Sequence, residues 1–289
     1  MSLTKNIDTG SYAGNGTSQT VTIGWQPAEV IIVGDRTGGP TGGRAACFKD
    51  SAMADDDFLE VRQTTQITTA NGITLTATGF SVGSDAVINN SGNTFYWIAF
   101  RQSPWVDVVT WTGDGVGGGQ AITTGRQPLR VRMAQVSGAE AFLFKHHSAG
   151  AGGIHYETTG AVVDPLITMQ ATGFLVQADA NLSAESYAAV VQYRDSGSTQ
   201  HLEEGSFTGS GVGQTITLGQ QPKVLLILNE TNPRIFFKTG DMPTDNHAEL
   251  SSAYNWMSPG EITITATGFS VTGNADASGD TIRYLAIYH

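Results

Sequence analysis

The sequence holds a single cysteine, Cys47, among 289 residues, so an internal disulfide and a Cys-x-x-Cys metal site are both excluded. Cationic residues are also scarce, 15 Lys and Arg against 26 Asp and Glu, giving a net charge of −11. That deficit is spread along the chain: −3 over residues 1–104, −3 over 105–201 and −5 over 202–289. No stretch offers the clustered Lys and Arg that a phosphate backbone demands, so no nucleic acid is expected as a partner. The acidity is expected to serve solubility instead. Long apolar runs are missing as well. No 18 consecutive apolar residues occur, and Met1-Ser-Leu-Thr-Lys-Asn-Ile-Asp8 is not a charged-then-apolar leader, so no membrane insertion or signal-peptide export is expected. Helical periodicity is nearly absent. Short β-branched runs punctuated by 36 glycines take its place, the pattern of an all-β chain.

What the chain does contain is one phrase written three times. Ile73-Thr-Leu-Thr-Ala-Thr-Gly-Phe80 returns as Ile262-Thr-Ile-Thr-Ala-Thr-Gly-Phe269, with a looser copy, Ile167-Thr-Met-Gln-Ala-Thr-Gly-Phe174, between them. Its glycines stand at 79, 173 and 268, steps of 94 and 95 residues, which is the size of a small domain rather than of a solenoid repeat. The alternation of apolar residues with Thr reads as a strand ending at the Gly-Phe turn.

Each copy opens on an aromatic beside a Gly-x-Gly turn: Tyr12 with Gly14-Asn-Gly16, Trp111 with Gly113-Asp-Gly115, and Phe207 with Gly209-Ser-Gly211. A Gln-Pro corner follows at Gln26-Pro27, Gln127-Pro128 and Gln221-Pro222, where proline breaks one strand before the next begins. Phe48-Lys49, Phe144-Lys145 and Phe237-Lys238 mark another shared strand, and each copy closes on an apolar strand such as Phe95-Tyr-Trp-Ile-Ala-Phe100. This predicts about five or six strands per copy, a small antiparallel β-sandwich. The three β-sandwich repeats are placed at 1–104, 105–201 and 202–289. With linkers this short they are expected to pack together as a pseudo-trimer.

Few residues carry chemistry. Asp55-Asp56-Asp57 lacks the glycine and distal Glu of a calcium loop and reads as a solvated turn. His146-His147 with His155 lacks a further ligand, since neighbours on a strand face opposite ways. Gly115-Val-Gly-Gly-Gly119 has no following helix or Lys-Ser/Thr and reads as a strand-to-strand turn. No nucleophile elbow or His-Glu-x-x-His occurs. The expectation is therefore a protein that is not an enzyme, with no cofactor and no metal. The copies diverge most over 50–72, 146–166 and 239–261, read as loops. There His155, Tyr156, Tyr254, Asn255 and Trp256 are the candidates for stacking on a sugar face.

The succession Gly-x-aromatic-x-Gly-x-Gly, Thr-x-Gly-x-Gln-Pro and Ala-Thr-Gly-Phe resembles repeats in tailed-bacteriophage and prophage virion proteins of the tail-fibre, head-fibre and decoration types. The Gln26-Pro27…Val30 corner, the Thr-Gly-Phe strand and Tyr96-Trp-Ile-Ala99 also resemble an H-type lectin domain. The second resemblance implies a six-stranded β-sandwich that trimerises and binds sugars. The first implies a virion structural protein on the particle surface, made in the host cytoplasm. The expected role is a tail or head-surface fibre or adhesion component that recognises host-surface glycan, with other tail or capsid proteins and host-surface polysaccharide as its partners. A purely structural decoration or fibre-base role is the alternative.

Overall fold

The computed structural model of the chain describes residues 6–35, 46–61, 66–136, 142–146, 153–157, 160–164, 166–194, 202–244, 246–251 and 255–288. The first copy runs through β1 (Ile7–Ala13), β2 (Gln19–Thr22), β3 (Pro27–Asp35), β4 (Ala46–Asp50), β5 (Phe58–Val61), β6 (Gln66–Thr68), β7 (Ile73–Thr76), β8 (Gly79–Val82) and β9 (Thr94–Arg101). The second repeats the series as β10 (Val106–Thr112), β11 (Gln120–Thr123), β12 (Arg130–Gln135), β13 (Phe142–His146), β14 (Gly153–Glu157), β15 (Gly160–Asp164), β16 (Ile167–Gln170), β17 (Gly173–Val176) and β18 (Ser186–Gln192). The third does so as β19 (Leu202–Thr208), β20 (Gln214–Thr217), β21 (Val224–Asn229), β22 (Arg234–Thr239), β23 (Asn246–Ser251), β24 (Asn255–Pro259), β25 (Ile262–Thr265), β26 (Gly268–Val271) and β27 (Thr281–Ile287).

Every copy folds into one six-stranded and one three-stranded antiparallel sheet. The orders are β1-β9-β3-β4-β5-β6 with β2-β8-β7, β10-β18-β12-β13-β14-β15 with β11-β17-β16, and β19-β27-β21-β22-β23-β24 with β20-β26-β25. The fold class is thus all-β, in three similar groups. Among the described residues there are nine strands per copy, against the five or six expected. One of the additional strands per copy is the return strand that begins at Gly-Phe, and two more come from the segments between the Phe-Lys strand and the Ala-Thr-Gly-Phe phrase, which form outer strands of the large sheet rather than loops. Their polar content hid them, because a strand whose two faces meet different surroundings need not alternate cleanly.

The repeated phrase forms the small sheet. Ala77 and Thr78 turn the chain, and Gly79, Gly173 and Gly268 begin the return strands rather than ending the outgoing ones. Glycine is required there by close approach. A Cβ on Gly79, Gly173 or Gly268 would lie 2.0 Å from the carbonyl oxygen of Val21, Ile122 or Ile216 on the adjacent strand. The next residue, Phe80, Phe174 or Phe269, is fully buried between the two sheets of its own copy. The opening turn is pinned from below by one buried polar residue per copy. Asn89 accepts from the Asn15 N–H at 3.0 Å, Asn181 from the Asp114 N–H at 3.1 Å, and Asp276 from the Ser210 N–H at 2.8 Å.

The inner strands of the large sheets are buried on both faces, which explains the unbroken apolar run Val30-Ile-Ile-Val33. Val30 and Ile32 point into the first copy's own sandwich, while Ile31 and Val33 point the other way. Leu225 and Ile227 likewise face their own sandwich, with Val224, Leu226 and Leu228 on the opposite side. The outward faces of all three large sheets meet in one common core. It takes equivalent residues from each copy: Phe48, Phe144 and Phe237; Ile98, Val190 and Leu285; Ile7, Val106 and Leu202. Phe237 stands 6.0 Å from Phe48 and 6.4 Å from Phe144, ring centre to ring centre. The first copy touches the third as well as the second, since Thr9 also donates to Asp241. The arrangement is a closed triangle, not a row.

Candidate functional site

Four of the five residues expected to stack on sugar lie on strands, not loops. His155 sits in β14 opposite Leu143 and is only 1% exposed, so its ring belongs to the interior. Tyr156 follows it, opposite Phe142 and Ala161. Asn255 and Trp256 open β24, opposite Leu250 and Glu249. Tyr254 lies outside the described residues. Asp55 and Asp56 are exposed in the turn before β5, where Asp56 accepts from the Thr74 hydroxyl at 2.9 Å, a solvated turn as expected. His146 is buried in β13, its Nε2 3.5 Å from a Glu204 carboxylate oxygen of the third copy, so it sits at a seam between copies.

Two clusters of buried charge stand out, and neither was singled out from the sequence. The first joins copies one and two. Arg132 pairs with Glu29 and, at 2.8 Å, with Asp50, while Arg130 reaches Glu29 at 3.3 Å, and all four side chains are fully buried. Burial works against the charge of Arg132, but Glu29 and Asp50 outweigh it and its pKa is raised. Arg130 has a weaker partner set, and burial draws its pKa down to about 10. The Arg130 guanidinium lies 4.7 Å from the centre of the Phe144 ring and that of Arg132 lies 5.4 Å from the Phe48 ring, so the charges are set among the core aromatics. In the repeat alignment Glu29 corresponds to Arg130 and Val224, and Ile31 to Arg132 and Leu226.

The second cluster lies inside copy three. His247 and Glu249 project from the same face of β23, two residues apart, and Glu261 immediately precedes β25 of the small sheet. One donor atom from each lies within 4.8 Å of the other two. His247 is fully buried against the Phe236 ring, 5.6 Å between centres, and neither ring nitrogen has a hydrogen-bond partner among the described residues. Its Nε2 faces a Glu261 carboxylate oxygen, Oε2, at 3.9 Å, which is also without a partner among them. The other Glu261 oxygen accepts from the Asn274 side chain at 3.1 Å, and Arg234 pairs with Glu249 from the rim. Burial, with Lys238 nearby, pulls the His247 pKa down to about 4, and burial raises that of Glu261. The imidazole is therefore neutral at neutral pH, the state in which it donates a lone pair.

A signal for this second cluster was present in the repeats themselves. His247 occupies the position of Phe58 and Gly153, and Glu261 that of Gly72 and Leu166. Copy three thus carries two polar groups where the other copies carry apolar residues or glycine. Between them lies a position that is polar and buried in all three copies, Glu60, His155 and Glu249. Acidity alone does not mark the position, because one copy uses histidine there.

No family model matches the chain, and no curated protein matches it.

Proposed function

We propose that this protein is a non-catalytic structural component of a bacteriophage particle surface, a trimer of β-sandwiches concatenated in one chain. The observation that carries this reading is the common core, in which equivalent residues of three copies meet as subunits of a trimer would. The resemblance of the repeated motifs to tail-fibre, head-fibre and decoration proteins supplies the setting. Concatenation allows the trimer interface to be asymmetric. Glu29 meets Arg130 across one seam, whereas three identical chains would bring three like charges to equivalent positions. A lattice-docking or fibre-base role is favoured over glycan adhesion by one observation. His155, among the sugar-stacking candidates the one whose side-chain exposure the structure describes, is enclosed.

The test is binding of the purified chain to phage particles that lack it, set beside a glycan array. Saturable attachment to such particles without glycan binding supports the structural role. Saturable glycan binding that is lost on replacing Trp256 with Ala supports adhesion, and failure to bind either overturns the virion assignment.

A further inference from the structure

We propose that His247, Glu249 and Glu261 form a binding site for one divalent transition-metal cation of the zinc type. The set offers one imidazole nitrogen and two carboxylates, which suits a borderline cation better than calcium or magnesium, both of which prefer all-oxygen shells. Two carboxylates and a neutral imidazole balance a charge of two, so the cation and its three ligands together carry no net charge, with Arg234 outside them.

The second observation is independent of the spacing of the donor atoms. A fully buried histidine with no partner on either nitrogen, facing an unpartnered carboxylate oxygen, leaves polar groups unsatisfied in the interior. Such groups are rare because each loses its hydration without replacement. A cation seated between Nε2 of His247 and Oε2 of Glu261 satisfies both. Donor atoms around a tetrahedral zinc lie about 3.3 Å apart at normal bond lengths. Those of the cluster lie within 4.8 Å, a gap that small side-chain rotations close. Arg234, already on Glu249, becomes the outer partner that orients the ligand. Glu261, 17% exposed at its side chain, marks the route from solvent, and three protein ligands leave a coordination position for water. Copies one and two place Phe58 with Gly72, and Gly153 with Leu166, at the equivalent points, so the site is confined to copy three.

The experiment titrates zinc chloride into the full chain after chelator treatment, reading stoichiometry by calorimetry and stability by thermal unfolding. One equivalent of zinc is expected to bind and to raise the melting temperature. His247→Phe, which installs the residue copy one uses, and Glu261→Gln should each weaken binding at least tenfold. Should His247→Phe fail to fold, as judged by circular dichroism, the near-isosteric Glu261→Gln carries the test alone. Absence of zinc uptake at sub-millimolar concentration overturns the proposal. So does binding that persists undiminished in Glu261→Gln, or a preference for calcium over zinc.

Discussion

At the scale of single residues, the third copy is the place where this chain departs from its own pattern. In the metal-free protein His247 has its pKa drawn down to about 4 by burial and by Lys238. An unfolded histidine titrates near 6.5, so between about pH 6.5 and 4 the unfolded chain binds a proton that the folded chain refuses. Stability contributed by this group therefore falls as the pH drops through that window, by up to about 3 kcal/mol. Glu261 acts in the opposite direction, since its raised pKa favours the folded state at low pH and that gain is lost as pH rises. Glu249 and Arg234 complete the surroundings. Subtracting the stability–pH curve of His247→Phe isolates the histidine, and a difference curve that is flat between pH 4 and 6.5 would contradict the assignment. A second residue-scale expectation concerns Gly268. Its replacement by Ala sets a Cβ against the Ile216 carbonyl, forcing β20 and β26 apart, and should cost on the order of 1–3 kcal/mol in urea unfolding.

At the scale of elements, the large sheet of each copy serves two cores at once, and β3 and β12 carry the sharpest consequence. Removing one member of the Glu29–Arg130–Arg132–Asp50 cluster leaves buried charge without its counter-charge. Glu29→Val alone is expected to cost about 3–5 kcal/mol. Replacing all four with the residues of the third copy, Glu29→Val, Arg130→Val, Arg132→Leu and Asp50→Thr, should recover most or all of that loss, because a packed apolar layer needs no desolvated pair. Denaturant titration of the single and quadruple variants checks both expectations. A single variant as stable as the parent would mean that water or another group already compensates the arginines. The same elements explain the Phe of the repeated phrase. Phe269→Ala empties a fully enclosed site between β25–β26 and the large sheet and should cost about 3–5 kcal/mol.

At the scale of the whole molecule, a core shared by three copies couples their stabilities. Each copy has only about 95 residues, a size at which one sandwich buries a limited share of its surface. The common core adds the faces that an isolated copy would expose. Thermal unfolding is accordingly expected as a single calorimetric transition, and Phe269→Ala should lower it as a whole rather than split off the third copy. Small-angle scattering should give a radius of gyration of about 19 Å, the value for a compact chain of this length. A rod-like profile, or three separable transitions, would be incompatible with the contacts between the first and third copies. Among the described residues no helix is long and apolar enough to cross a membrane.

The sequence by itself determined the all-β class and the threefold repetition, because strand alternation, glycine turns and Gln-Pro corners are local and recur at a fixed period. The apolar–Thr alternation of the repeated phrase was likewise legible as the outgoing strands β7, β16 and β25. The outermost strands β5 and β6, β14 and β15, and β23 and β24 were hidden, since their residues answer to two different surroundings and show no single period. Only the tertiary structure decided that Glu29 meets Arg130, a contact between residues about a hundred positions apart with no local signature. The meeting of His247 with Glu261 was likewise a matter of two sheets packing face to face. The propensity of a residue for a strand is written in its neighbours along the chain, whereas the partner of a buried charge is set by which faces the sheets turn toward one another.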